Sequence, residues 1–229
     1  MVTISELYIP FACLIVFLDY IVFDFRLVCK LIRLHRDNFL FIITIMKIYL
    51  STRNPGKIKA AKSVFDKYNI EVLLVEKEYP EIQADSSLEV AKYLAIQIAK
   101  DLGVPVVRED HSLFINALKF PGPYTNYFEK KISTAMLLKW LKNYANRDGY
   151  FEIATVYAEP NGSTKEFVYR VPIHIAKKEK GSLQKGWARI IMLQGENRTL
   201  AEYPENERLG VWSKNYTAIT KYLLSTQKL

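Results

Sequence analysis

The chain is poor in the residues that carry thiol and soft-metal chemistry. Of 229 residues only two are cysteine, Cys13 and Cys29, and only three are histidine, His35, His111 and His174. Both cysteines fall within the first 45 residues. The rest of the chain therefore has no thiol nucleophile, no cysteine-ligated zinc site and no disulfide framework. Such sparing use of cysteine suits a cytoplasmic setting. A histidine-rich metal site is excluded too, which leaves a hard cation on carboxylates as the metal chemistry open to this sequence. Internal repeats and low-complexity linkers are missing, which argues against an array and against two independently folded domains. No basic segment precedes the first apolar run and no small-residue cleavage site follows it, so that run does not read as a signal peptide.

What is present is a core-forming composition with a basic balance. Half of the residues are hydrophobic and 13% are aromatic, enough for one core or one core split into two lobes. The formal charge of +8 arises after residue 45, because the first 45 residues hold Arg26, Lys30, Arg33 and Arg36 against Glu6, Asp19, Asp24 and Asp37. A basic body suits a polyanion, whether nucleotide, nucleic acid or anionic membrane. Residues 8–25 are almost wholly apolar apart from Asp19 and Asp24, barely long enough to cross a membrane and costly to insert with two aspartates. Met46 stands immediately before an apolar strand pattern. Residues 1–45 are therefore read as a hydrophobic extension with a misplaced start in preference to an anchor, and residues 46–229 as the folded domain. A membrane is a partner only if residues 1–45 are present and inserted.

From Met46 the pattern alternates strand and helix: strand 47–52, helix 55–68, strand 70–75, helix 87–101 and strand 104–108. This predicts an α/β fold. The first helix places Ile58, Ala61, Phe65 and Tyr68 on one side as core, and Ser86 with Glu89 has capping-box spacing. Beyond Asp110 come a Pro/Gly loop, a helix near 126–142, a hairpin pairing 150–158 with 165–176 about Asn161-Gly162, a strand at 187–193 and a helix near 212–224.

The most telling stretch is Ser51-Thr52-Arg53-Asn54-Pro55-Gly56-Lys57, a strand-to-helix corner. Asn54 is a good N-cap, Pro55 fits the first helical position, and Gly56 allows close approach of a ligand to the backbone. Free amides at such a corner favour an anion, and Lys57 adds a full positive charge. Glu81 lies in the connection before the second helix, and Glu109-Asp110 follow an apolar strand. In an open α/β sheet the ligand crevice lies at the carboxyl ends of the strands. If the two corners end neighbouring parallel strands, phosphate-binding groups sit beside carboxylates able to carry magnesium and to orient or deprotonate a water.

Four blocks resemble, in order and spacing, the inosine triphosphate pyrophosphatase family. They are Thr52-Arg53-Asn54-Pro55-Gly56-Lys57, Pro80-Glu81-Ile82-Gln83, Glu109-Asp110-His111-Ser112-Leu113 and Pro121-Gly122-Pro123-Tyr124. The resemblance covers residues 46–224 in coarse layout and is close over 47–141. It implies an elongated mixed β-sheet flanked by helices, with two lobes around a central cleft, and a homodimer. It also implies Mg²⁺-dependent hydrolysis of a purine nucleoside triphosphate such as ITP, XTP or dITP to monophosphate and pyrophosphate. By position, Thr52, Asn54 and Lys57 would bind the triphosphate, Glu81, Glu109 and Asp110 the metal, and Asp110 with Lys57 would carry the catalysis.

The later blocks depart from the family pattern. Its Phe-Gly-Trp/Tyr-Asp-Pro appears as Lys185-Gly186-Trp187-Ala188-Arg189, keeping Trp187 as the aromatic expected to stack on a base. Its Ser-His-Arg appears as Trp212-Ser213-Lys214, so Ser213 and Lys214 either rebuild a base pocket or mark divergence. Loss of a polar reader can change discrimination by up to roughly 10⁴-fold. Two alternatives to the hydrolase stay open, a non-catalytic nucleotide-binding protein and a family member with changed base specificity. A nucleic-acid groove is disfavoured because the basic residues are dispersed.

Overall fold

The computed structural model describes residues 28–31, 42–183 and 185–226, with 28–31 and 42–45 as backbone only. The chain divides into two units, residues 1–47 and 48–229. In the first, β1 (Val28–Leu31) pairs antiparallel with β2 (Ile42–Ile45), Val28 opposite Ile45. The reading of residues 1–45 as an extension otherwise falls outside the described residues. Among the described residues no helix is long and apolar enough to cross a membrane.

The body of the chain is a mixed sheet flanked by helices. It begins with β3 (Lys47–Ser51), α1 (Pro55–Phe65), β4 (Glu71–Leu74) and α2 (Ser87–Leu102). Next come β5 (Val106–Ile115), β6 (Phe120–Gly122), α3 (Thr125–Glu129) and α4 (Thr134–Trp140). The chain then runs through β7 (Asp148–Ala158), β8 (Thr164–Ile175), β9 (Ile191–Leu193), α5 (Glu205–Trp212) and α6 (Lys214–Thr226). The strand order is β4-β3-β5-β7-β8-β9, with β6 also on β5. β3 and β5 are parallel, and the pairs β5–β6, β5–β7, β7–β8 and β8–β9 are antiparallel.

Local chemistry explains the element ends. Asn54 is extended and its Oδ1 accepts the Gly56 N–H at 2.9 Å, while Pro55 opens α1. The helix expected over 55–68 tightens into a 3₁₀ turn at Asp66–Tyr68 and stops at Asn69, with φ 54°. That change of pitch takes Tyr68 off the core face, where it was expected, and leaves it 43% exposed. Ser86 caps α2 by accepting the Glu89 N–H, and Gly103 ends it with φ 66°. The single helix expected over 126–142 is two short ones, because Ser133 restarts the chain by capping α4. The helix expected near 212–224 forms as α6, Lys214–Thr226, preceded by α5, which was not expected, and the strand expected over 187–193 is only β9. The hairpin about Asn161-Gly162 forms as expected, with φ 90° at Gly162.

The largest departure concerns β5, expected to end at 108. It runs on to Ile115, paired along its whole length with β7, from Val106 opposite Ala158 to Ile115 opposite Gly149. On its other side β3 leaves after Ser51 opposite Arg108, and β6 joins only at Leu113. Residues 109–112 therefore have a strand neighbour on one side and an open edge on the other. Strand alternation sends residues 109, 111, 113 and 115 to one face and 108, 110, 112 and 114 to the other. The first face carries a core of Leu113, Ile115, Phe151, Ile153, Val171 and Ile173 with Leu137 and Trp187. The opposite face packs Val106, Ala154 and Val156 against Val90, Leu94 and Ile98 of α2.

At Gly149 the β5–β7 contact leaves no room for a side chain, since a Cβ there would drive into the Phe114 carbonyl oxygen. Backbone cannot yield as a flexible side chain does. Gly149→Ala should therefore lower stability by about 1–3 kcal/mol, read as a reduced urea midpoint with unchanged slope. A midpoint equal to the parent's would contradict this packing.

Candidate functional site

The first side chain of α1 to reach inward is Lys57. Thr52 Oγ1 accepts the Asn54 N–H at 3.2 Å and Asn54 caps Gly56, which fixes the corner. From there Lys57 Nζ donates to the Glu109 carbonyl oxygen at 2.9 Å and stands 3.8 Å from Glu109 Oε1. The lysine thus fills part of the open edge of β5, where a strand partner would otherwise satisfy that carbonyl. The corner and the acid pair meet at the notch between the end of β3 and the start of β6.

Glu109 is 3% exposed. Burial pushes its carboxyl up to about 7, with Lys57 pulling the other way. Its Oε2 has no hydrogen-bond partner. The Tyr216 hydroxyl of α6 is near enough to be felt electrostatically, and burial with the adjacent Glu109 raises the phenol well above its ordinary value. It makes no hydrogen bond of normal geometry.

Asp110 points to the opposite face. Burial raises its carboxyl, Lys57 opposes that, and the Glu81 charge adds to it. Ser112 Oγ donates to Asp110 Oδ2 at 3.1 Å, and Ser87 Oγ donates to Ser112 Oγ at 2.6 Å. Both serines are fully buried, so the carboxylate is held by a dry chain of hydroxyls reaching to the first turn of α2.

Glu81 is ion-paired to Arg108, whose guanidinium also donates to the Ser51 carbonyl oxygen at 3.0 Å. Among the described residues no group of three or more His, Cys, Asp or Glu is set to hold a metal ion. The donor chemistry nevertheless fits a hard cation. The unpartnered Glu109 Oε2 and the Asp110 carboxylate offer oxygen donors beside the notch, and Mg²⁺ characteristically takes only one or two carboxylates and completes its shell with water and substrate phosphate.

The residues expected to read a base do not converge on the notch in the same way. Trp187 is 1% exposed and its indole N–H donates to the Ile132 carbonyl oxygen at 2.8 Å. It is a core residue here, so it offers no free face to a base. Ser213 closes α5 through its N–H to the Leu209 carbonyl oxygen. Lys214 is turned onto Tyr169, with Nζ 4.3 Å from the ring centroid. Trp212, in contrast, packs against His111 and Phe151 with centroids 4.8 and 5.3 Å away. His111 is held neutral to about pH 3, by burial first and then by Lys57 and Lys185.

Sequence reasoning missed Ser112, Ser87, Arg108, Tyr216 and Lys185. For Ser112 and Arg108 the signal was available, because residues two apart on a strand share a face. Ser87 and Tyr216 come from helices whose docking has no local signature.

A mixed sheet thus sets a capped, cationic strand-to-helix corner beside a buried Glu109 and a half-buried Asp110, an arrangement chemically suited to an anion. Residues 48–223 match the model of the Ham1 family, and the chain belongs to that family. A dITP/XTP pyrophosphatase of Methanopyrus kandleri is 39% identical over 164 residues, covering 71% of this chain and 87% of its own. One from Thermococcus kodakarensis is 37% identical over 164 residues, covering 71% and 88%. Enzymes of that name are hydrolases acting on acid anhydrides. Among solved structures, the nucleoside-triphosphatase / dITP/XTP pyrophosphatase of Mycobacterium abscessus superposes with a TM-score of 0.63 at 26% identity, covering 77% and 97%. A HAM1 protein of Coxiella burnetii shares the fold with a TM-score of 0.68 at 21% identity, covering 79% and 98%.

His111 gives the site a pH signature. The folded protein keeps the imidazole neutral to about pH 3, whereas the unfolded chain protonates it near 6.5. Between these values the unfolded state binds more protons, so stability rises with pH and is lost as the pH falls through that window. His111→Phe should flatten the fall in stability between about pH 6 and 4 by up to about 1.4 kcal/mol per pH unit, measured by urea denaturation. An unchanged slope would mean that the folded protein protonates His111 as readily as the unfolded chain.

Proposed function

We propose that the protein hydrolyses a purine nucleoside triphosphate of the ITP, XTP or dITP type to the monophosphate and pyrophosphate. The family and the names of its relatives support hydrolysis of a nucleotide triphosphate. The observation that carries the assignment to this site is the contact of Lys57 Nζ with the Glu109 carbonyl, at 2.9 Å. It joins the anion-binding corner to the acid pair at one notch.

In this reading the first-turn amides of α1 and Lys57 bind the triphosphate, with Thr52 and Asn54 fixing the shape of the corner. Asp110 and Glu109, with Glu81 close by on Arg108, would hold Mg²⁺, which when bound would supply charge neutralisation at the phosphate oxygens. Asp110, oriented by Ser112, takes a proton from the water that attacks the α-phosphorus. A carboxyl raised by burial is a better base for that role than an exposed one. Lys57 offsets the charge that accumulates as pyrophosphate leaves. The burial of Trp187 and the turning of Lys214 onto Tyr169 favour a base preference different from that of relatives with the full Phe-Gly-Trp/Tyr-Asp-Pro and Ser-His-Arg blocks. The homodimer and the cytoplasmic location belong to the same proposal and rest on the family likeness.

The pairing of Glu81 with Arg108 favours one competing reading, a protein that binds nucleotide without turnover. Pyrophosphate release from a panel of triphosphates with Mg²⁺ separates the two. Asp110→Asn and Lys57→Ala should each lose about 100-fold or more in kcat/KM, with unchanged circular dichroism. Full activity in both variants excludes this site, and tight binding with no turnover in the parent selects the binding protein.

A further inference from the structure

The mechanism leaves Lys185 unused, and its placement is unusual. Its Nζ lies 3.7 Å from the point a Cβ on Gly56 would occupy, against the first turn of α1. The same point is 3.2 Å from Asn54 Oδ1. Lys57 leaves that turn for Glu109, so two ammonium groups flank one strand-to-helix corner. His111 feels both of them.

Lys185 has no hydrogen bond or ion pair of its own among the described residues. The acid that feels its charge is Glu129, whose Oε1 accepts the Trp187 N–H at 3.4 Å. Two like charges at one corner repel, and an anion between them relieves that cost.

The backbone carrying Lys185 is also anchored. Gly186 adopts φ 50°, and any Cβ there would collide with the Glu129 carboxylate. The next residue, Trp187, is locked into the core by its indole hydrogen bond to Ile132. A fixed turn thus presents a flexible ammonium to the corner, and the tryptophan serves as its anchor.

We infer that Lys185 is a second polyphosphate-binding residue that closes with Lys57 on the phosphate chain of the substrate. This rests on the reading of the corner as a triphosphate site and deepens it. Lys185 stands where the family pattern has the Phe of Phe-Gly-Trp/Tyr-Asp-Pro, so a cation replaces a ring at this point. The chemical class bound is a linear polyphosphate, with the base a secondary determinant.

Inorganic tripolyphosphate, which has no base, tests this by calorimetry on the full chain. Lys185→Ala should weaken its binding about tenfold and make the affinity less dependent on salt. Lys185→Arg should retain most of the affinity, and the binding of inosine, which has no phosphate, should not change. Because the side chain is exposed, melting temperatures of both variants should match the parent's. Loss of tripolyphosphate affinity in Lys57→Ala but not in Lys185→Ala overturns this inference alone. Unchanged affinity in both variants overturns it together with the triphosphate site. Weaker inosine binding in Lys185→Ala with unchanged tripolyphosphate binding would place Lys185 on the base and contradict the inference.

Discussion

An ammonium group laid over the open edge of a strand organises this protein's site. β5 loses its parallel neighbour at Arg108 and gains β6 only at Leu113. The Glu109 carbonyl, left in that gap, takes its hydrogen bond from Lys57. One lysine therefore satisfies the sheet edge, faces a carboxylate that is 97% buried, and reaches it from the first turn of a helix whose amides favour anions. The balance is close. Burial outweighs the lysine's attraction, so Glu109 sits with its carboxyl near 7 rather than in the ordinary range. A buried charge pair of this sort is expensive to assemble from hydrated ions, and it concentrates charge at the notch on which the proposed function rests.

The same gap explains how two adjacent acids address one notch. On a continuous strand Glu109 and Asp110 would be separated by the sheet. Because the edge is open between β3 and β6, both faces border the opening and Lys57 acts on both carboxyls. The two faces then treat their acids differently. Glu109 lies near the Tyr216 hydroxyl of α6, whereas Asp110 is held by Ser112 and Ser87. One is a buried acid poised near neutrality, and the other is a carboxylate with a fixed orientation.

The corner was fully legible from Asn54, Pro55, Gly56 and Lys57, because capping is local chemistry. That Glu109-Asp110 lies opposite it could also be argued, since parallel neighbours bring strand ends together. What local pattern could not reveal was that β5 continues beyond Asp110, because its length is set by pairing with the distant β7. Trp187 shows the limit of matching a block residue by residue. The tryptophan is in place, but Ile132, 55 positions earlier, takes its indole. Lys185 was visible only as a departure from a pattern, and its neighbour Gly56 lies far away in sequence. The break at Ser133 falls at a residue common in caps and helices alike, so a single long helix over 126–142 was the simpler pattern.

Family membership agrees with the phosphate half of the proposed site, while the residues expected to read a base are engaged elsewhere. Trp187 serves the core, Lys214 lies on Tyr169, and Trp212 covers His111. A site of this form can keep the hydrolytic chemistry and change what it accepts, since phosphate contacts and base contacts come from different elements. The most direct measurement is a crystal structure of the full chain with Mg²⁺ and an α,β-non-hydrolysable inosine triphosphate analogue. The account predicts the phosphate chain against the first turn of α1 beside Lys57, with the cation between it and the carboxylates of Asp110 and Glu109. A nucleotide bound elsewhere, with Lys57 still on the Glu109 carbonyl and the notch empty, would contradict it.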